Sequence, residues 1–114
     1  MRGDLLRLQD VLGAITAIEP YVLLGREVFD SDPMVQVWFV RHLQIVGEAS
    51  RALTPELKAA HPGIPWRDIN GMRNIVVYDY HGLDIGTVWT VAESHLPVLK
   101  RQIGAILAEM RGGP

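Results

Sequence analysis

The sequence predicts an all-α fold, an antiparallel bundle of four main helices plus a short extra helix. Apolar residues recur at spacings of three and four along most of the chain, which is the pattern of one buried helix face. Proline and glycine fall in a few clusters that divide these stretches into blocks. No segment shows convincing two-residue alternation, and the one β-branched run, residues 75–77, is too short to predict a strand.

The first helix is predicted from about Asp4, as its N-cap, to Leu24, with Pro20 expected to kink or split its end. Its apolar stripe consists of Leu5, Leu8, Val11, Leu12, Ile15, Ile18 and Val22. The second helix is predicted to begin at Asp32-Pro33 and to run to about Leu53. Its inward face comprises Val35, Phe39, His42, Val46, Ala49 and Leu53, with Trp38 and Ile45 widening it.

Thr54-Pro55 predicts the start of a short third helix, and the segment 61–65 predicts its end. The fourth helix should begin near Trp66 and carry Ile69, Val76 and Val77. Gly82-Leu83-Asp84 should end it and cap the next. The last block runs from Ile85 to about Met110, and Pro97 should kink or split it because proline lacks the amide hydrogen. Trp38, Trp66 and Trp89 all fall at positions that predict burial in the core.

The composition predicts one domain, residues 1–114, in the soluble cytoplasmic class. The chain has 48% hydrophobic residues, a net charge of −2 and no cysteine, which excludes disulfides and thiolate zinc sites. Neither a signal peptide nor a membrane-spanning run is apparent. A domain of this size leaves much apolar surface, so oligomerisation is expected to add burial. Any RNA contact must come from a local basic patch or from one built by two subunits.

Arg73 is unusual because it lies on the apolar stripe of the fourth helix, with Ile69 and Val76. A buried guanidinium cannot lose its proton and therefore needs a partner. One interpretation pairs Arg73 with Glu48 or Asp68, or lets it reach the surface. The other aims it at a phosphate. Glu48 itself could orient Arg73 or could pair with Arg51, three residues further on.

The segment 73–84, RNIVVYDYHGLD, resembles the motif of HEPN ribonucleases, specifically the HepT branch. In that family an arginine, usually followed by asparagine, precedes a histidine, and a tyrosine follows two positions later. The matching residues here are Arg73, Asn74, Tyr80, Gly82, Leu83 and Asp84. Residues 43–49, 61–66 with Gly71-Met72, and 96–99 are similar to the neighbouring family helices, so the resemblance covers nearly the whole chain.

The resemblance implies an HEPN-like dimeric fold and metal-independent RNA cleavage without a cofactor, at an interface where Arg73 from both subunits converges. In this chemistry the ribose 2′-hydroxyl attacks the adjacent phosphate. A histidine near its pKa can move the protons, and an arginine offers a rigid fork of donors to the phosphate oxygens. The rival hypothesis is a non-catalytic module that dimerises and binds a nucleotidyltransferase, RNA or nucleotide. A third is a bundle in which Arg73 is only structural.

The chain departs from the family at position 78, where the motif histidine should fall and where Tyr78 stands. Tyrosine has an unperturbed pKa of about 10, so it is a poor base at neutral pH. Three explanations follow: an inactivating substitution, a natural degenerate homologue that keeps only binding, or replacement by His81. His81 is the weakest, because eight residues after Arg73 it projects in another direction on a regular helix.

Tyr80 lies seven residues after Arg73 and would share its face on a continued helix. The resemblance implies that Tyr80 is where an MntA-type minimal nucleotidyltransferase, the antitoxin of a type VII toxin–antitoxin pair, attaches AMP. The alternative is a core or interface tyrosine. His42 is best interpreted as a core or interface histidine. His61 and His95 have no companion at metal-ligand spacing, so no metal site is predicted.

Overall fold

The computed structural model describes the backbone of residues 2–78 and 84–112 and the side chains of residues 3–73 and 84–112. These ranges are helical apart from short connections, and they contain no strand. The helices are α1 (Arg2–Val22), α2 (Arg26–Ser31), α3 (Pro33–Arg51), α4 (Pro55–Ala60), α5 (Trp66–Tyr78), α6 (Ile85–Thr90) and α7 (Leu96–Arg111), with a π-helical turn at Val91–His95 between the last two. The all-α prediction is therefore confirmed for the described chain.

Three predicted helix starts are confirmed by their capping bonds. The Asp32 carboxylate accepts from the Met34 amide at 2.9 Å, and the Thr54 hydroxyl accepts from the Leu57 amide at 3.3 Å. Asp84 accepts from the amide and hydroxyl of Thr87, at 3.3 and 2.8 Å. The hydroxyl bond is the main cause that lowers the pKa of Asp84 below its ordinary value. Gly82 and Leu83, predicted to end the preceding helix, lie outside the described residues.

The prediction that Asp4 caps the first helix is wrong. α1 begins at Arg2, so Asp4 lies inside its first turn, where its side chain is almost completely buried. Its two carboxylate oxygens accept from the Thr54 amide at 2.9 Å and from the Thr54 hydroxyl at 2.6 Å. Asp4 thus ties α1 to the start of α4. Removing one partner of such a buried pair typically costs about 1–3 kcal/mol of stability.

Pro97 divides the last block as predicted, and it does so through the π-helical turn. The Leu96 amide donates to the Val91 carbonyl five residues back, immediately before the proline. α7 then continues to Arg111. The short helix α2 was not predicted. It brings Phe29 into contact with Phe39 and Trp89, with ring centroids 4.7 and 5.5 Å apart, so it closes one end of the core.

α3 is the central helix, because it packs against α1 and against α5. Its predicted inward face is buried at Val35, Phe39, Val46 and Ala49. Trp66 and Trp89 are buried as predicted. The prediction that Trp38 lies in the core is wrong, since 41% of this side chain is exposed. Trp38 lies across α1 at the protein surface, where its indole N–H donates to the Ala17 carbonyl at 2.8 Å. None of the described helices combines the length and hydropathy needed to cross a membrane.

Candidate active site

Arg73 is positioned by α5. The first residue of this helix, Trp66, is fixed by hydrogen bonds from both its backbone and its side chain. The Trp66 amide donates to the Ile64 carbonyl at 2.8 Å, and its indole N–H donates to the His61 carbonyl at 3.0 Å. Ile69, one turn before Arg73, is buried in the core. This anchoring sets the rotation of α5 and so directs Arg73 toward α3.

Glu48 of α3 is the partner of Arg73. Its carboxylate contacts the Arg73 Nε, and the two side chains are 47% and 32% exposed. Of the pairings that the sequence left open, the described residues form this one, rather than Arg73 with Asp68 or Glu48 with Arg51. An ion pair with this much exposure contributes only about 0–1 kcal/mol to folding. Glu48 therefore holds the Arg73 guanidinium in place without burying it, and a ligand from solvent can still reach the guanidinium.

A cleft of about 350 Å³ is lined in part by Glu48, the partner of Arg73. It is lined by Arg7, Asp10, Arg41, Ile45, Glu48, Ala49 and Ala52. Arg7 and Arg41 are exposed, and Arg7 lies 3.9 Å from Asp10 in a loose surface pair. Arg7, Arg41, Asp10 and Glu48 line the cleft, and Arg73 joins this group through its pair with Glu48, so three arginines and two carboxylates leave one net positive charge. This group forms a local cationic cluster on a chain whose net charge is negative.

The comparisons with known proteins decide the family. Residues 11–106 match the family model described as Ribonuclease HepT-like. This chain belongs to the HepT-like ribonuclease family. A probable ribonuclease HepT of Thermococcus cleftensis is 35% identical over 82% of this chain and 86% of its own length. A putative RNase of Caldanaerobacter subterraneus subsp. tengcongensis is 36% identical over 71% and 72% of the two chains. No solved structure matches the chain significantly.

A third relative is a longer protein, of which this chain matches only part. It comes from Methanocaldococcus jannaschii and is named gamma-glutamylcyclotransferase and putative RNase. It is 33% identical over 96% of this chain but only 50% of its own length. The HepT-like sequence therefore accounts for about half of that relative.

Of the other residues expected in a HepT-like site, Asn74 and Tyr78 lie in the last turns of α5, and their backbones are helical. Their side chains lie outside the described residues, as do the whole of Tyr80 and His81. The structure thus brings Arg73 and Glu48 together and places Tyr78 five residues further along the same helix. The catalytic roles of these residues remain predictions.

His42 is engaged in a local contact. Its Nδ1–H donates to the Trp38 carbonyl at 2.7 Å, and its ring centroid lies 4.2 Å from that of Trp38. His42 is half-buried and lies outside the core, so its predicted place on the inward face is wrong, and its role as an interface histidine stays a prediction. Among the described residues, no group of three His, Asp or Glu side chains is placed to hold a metal ion.

Sequence reasoning missed the arginines of the cleft, Arg7 and Arg41. They lie on different helices, so their proximity could not be inferred from spacing. The available signal was on α3, where Arg41 precedes Glu48 by seven residues, which places the two on one helix face.

Proposed function

We propose that this HepT-like chain is the toxin of a type VII toxin–antitoxin pair, a cytoplasmic, metal-independent endoribonuclease. It forms a dimer of HEPN-like subunits, each a single domain, residues 1–114, of four main helices plus a short extra helix. The observation that carries the proposal is Arg73, held by Glu48 at a half-exposed position in a chain of the HepT-like family. A guanidinium in this setting has donors to offer to phosphate oxygens. The cationic cluster gives the RNA backbone a surface on which to lie.

The outer face of α3 supports the homodimer. Met34, Val37 and Trp38 form an exposed apolar patch, followed on the same face by Arg41, Ile45 and Glu48. In a symmetric dimer the same patch meets itself across the two-fold axis. Pairing along this face buries the patch and brings the two cationic clusters toward each other, which would combine Arg73 from both subunits in one site.

The dimer can be tested by replacing Trp38 with a charged residue. Wild-type protein at micromolar concentration should scatter light as a species of twice 12.7 kDa, and Trp38→Glu should shift it to the monomer mass because a buried unpaired carboxylate is costly. Val98→Glu is the matched control, since Val98 on α7 is similarly exposed, at 44%. A wild-type monomer would contradict the dimer, and dissociation by Val98→Glu alone would place the interface elsewhere.

The proposed reaction is an intramolecular transesterification. The 2′-oxygen of a ribose attacks the adjacent phosphorus while its proton passes to a base, and the bond to the 5′-oxygen of the next nucleotide breaks as that oxygen gains a proton. Arg73 stabilises the charge that develops on the phosphorane oxygens. Glu48 orients the guanidinium, and Asn74 is assigned to the same site by the family motif. Position 78 is where the family's proton-transfer group belongs, and Tyr78 weakens this step.

The function is tested by incubating the chain and its Tyr78→His variant with labelled RNA. Products should end in 2′,3′-cyclic phosphate and 5′-hydroxyl, and EDTA should not slow the reaction. An RNA carrying 2′-O-methyl groups should stay intact, because it has no nucleophile. Cleavage of that RNA, or loss of cleavage in EDTA, would mean a different chemistry.

The proposed control of the toxin is AMPylation of Tyr80 by an MntA-like minimal nucleotidyltransferase. The Tyr80 oxygen attacks the α-phosphorus of ATP, pyrophosphate leaves, and the phenolic proton goes to solvent or to a base. The added phosphate lies close to Arg73 if α5 continues to position 80. Its negative charge would then occupy the guanidinium and repel the RNA backbone.

With the authentic partner and ATP, intact-mass spectra should show one added adenylate on the wild type and none on Tyr80→Phe. Tyr21→Phe, which changes another tyrosine, should still be modified. No gain of mass on the wild type, with the partner active on a control toxin, would contradict the assignment. Modification at Tyr78 would mean that the motif is misplaced.

The second candidate function is a HepT-like module that dimerises and binds its nucleotidyltransferase, RNA or nucleotide without cleaving. The observation that favours it is Tyr78 itself, because a phenol is a poor base near neutral pH. In this case RNA should bind to the unmodified chain with a strong salt dependence but stay intact.

A further inference from the structure

Gly47 lies in the middle of α3, at the point where α5 comes closest to it. It is buried, and a Cβ placed on it would lie 2.7 Å from the Arg73 amide nitrogen, 3.1 Å from the Arg73 Cβ and 3.2 Å from its Cα. The three nearest atoms all belong to Arg73. A separation of 2.7 Å is shorter than a Cβ tolerates, so any other residue at position 47 would force the two helices apart.

The atom that a side chain would meet first belongs to the backbone and cannot rotate away. Relief requires a displacement of α5 by several tenths of an ångström, and Arg73 would move with it. Glycine is otherwise unfavourable in a helix interior, so its presence here is explained by the close approach of the two helices. Gly71, on α5 itself, has nothing within 4 Å of its Cβ position, which shows that helical glycines of this chain do not all have this role.

Gly47 is followed directly by Glu48, the partner of Arg73. One turn of α3 therefore supplies both the space for the α5 backbone and the carboxylate that holds the α5 side chain. We propose that Gly47 is a positioning residue, which sets the distance between α3 and α5 at Arg73 and so fixes where the guanidinium meets Glu48 and the scissile phosphate. This proposal rests on the ribonuclease function proposed above.

The test compares Gly47→Ala with Gly71→Ala, both in the Tyr78→His background. The two substitutions add the same methyl group to a helix, but only the first meets another backbone. Gly47→Ala should lower the cleavage rate at saturating RNA about 10–100-fold, as expected when a catalytic group is displaced by up to about 1 Å. Gly71→Ala should leave the rate unchanged. Equal rates for the two variants would overturn the proposal.

A double-mutant cycle separates positioning from a general loss of structure. If Gly47 acts through Arg73, then Gly47→Ala should cause no further loss of cleavage once Arg73→Ala is present. A role in stability alone predicts the same loss in both backgrounds. If Gly47→Ala is too unstable to assay, adding Gly71→Ala and Gly104→Ala should restore stability through their helix propensity, because neither Cβ meets another atom.

A readout without RNA keeps this proposal distinct from the function on which it rests. The Arg73 Nε–H resonance of the Arg-labelled protein can be assigned by its absence in Arg73→Lys. Gly47→Ala should shift this resonance toward its position in Glu48→Gln, whereas Gly71→Ala should not. If no variant cleaves RNA but this shift occurs, the positioning role stands and the ribonuclease function fails. An unchanged resonance in folded Gly47→Ala would overturn the positioning role itself.

Discussion

The Tyr78→His variant should cleave RNA about 10²–10⁴ times faster than the unmodified chain, which corresponds to a barrier lower by roughly 3–5 kcal/mol. The reason is the pKa of the proton-transfer group. An imidazole with a pKa of about 6.5 is available both as base and as acid near neutral pH, whereas a phenol with a pKa of about 10 is almost entirely protonated. The gain should therefore follow the titration of the introduced histidine.

The rest of the site should not change with this substitution. Arg73 on α5 is paired with Glu48 on α3, and α5 is helical through position 78. The gain should be measured as initial rates on one RNA across pH, with Tyr78→Phe as the control. Tyr78→Phe should be no faster than the wild type, because it removes the hydroxyl without supplying a base. Toxicity on expression should rise in parallel with the rate.

Two outcomes would change the assignment. If Tyr78→His is inert on a broad RNA panel while folded and dimeric, the binding module becomes the better account of this HepT-like chain. If the unmodified chain already cleaves briskly, then His81, His42 or Tyr78 itself carries the proton. His42→Ala then tests one of these directly, since His42 is held by Trp38 in the structure.

The parts of the fold that could be predicted from sequence depend on short-range chemistry. The starts at Asp32, Thr54 and Asp84 follow from side chains that cap an amide two or three residues away. The break at Pro97 follows from a missing amide hydrogen. Asp4 resembled the same kind of cap, but its partner Thr54 is fifty residues further along the chain, and local spacing carries no information about it.

What could not be predicted at the candidate site has the same origin, contacts between residues that are far apart in the chain. A helical stripe gives the direction of each side chain but not what covers it, so Trp38 was expected in the core and lies at the surface. The position of Arg73 showed that it needed a partner, but only the packing of α3 on α5 selects Glu48 over Asp68. Gly47 carried a signal, a glycine in the interior of a predicted helix, which indicates a close contact without naming the residue it meets.

Arg73→Ala in the Tyr78→His background should lower the rate of RNA cleavage by at least about 10²–10³-fold, the usual effect of removing a donor that stabilises transition-state charge. Arg73→Lys should restore only part of it, since an ammonium keeps the charge but loses the planar fork. The loss of stability should be small, about 0–1 kcal/mol, because the pair with Glu48 is exposed to solvent.

This contrast between activity and stability decides what Arg73 does. Urea unfolding of each variant, measured beside initial cleavage rates, separates the two effects, and Arg51→Ala is the matched control because Arg51 is an exposed arginine at the end of α3. Arg51→Ala should change neither quantity appreciably. If Arg73→Ala destabilises the protein by several kcal/mol while the folded fraction still cleaves at the full rate, Arg73 is a structural residue. The third of the original hypotheses, a bundle with a structural arginine, would then be correct.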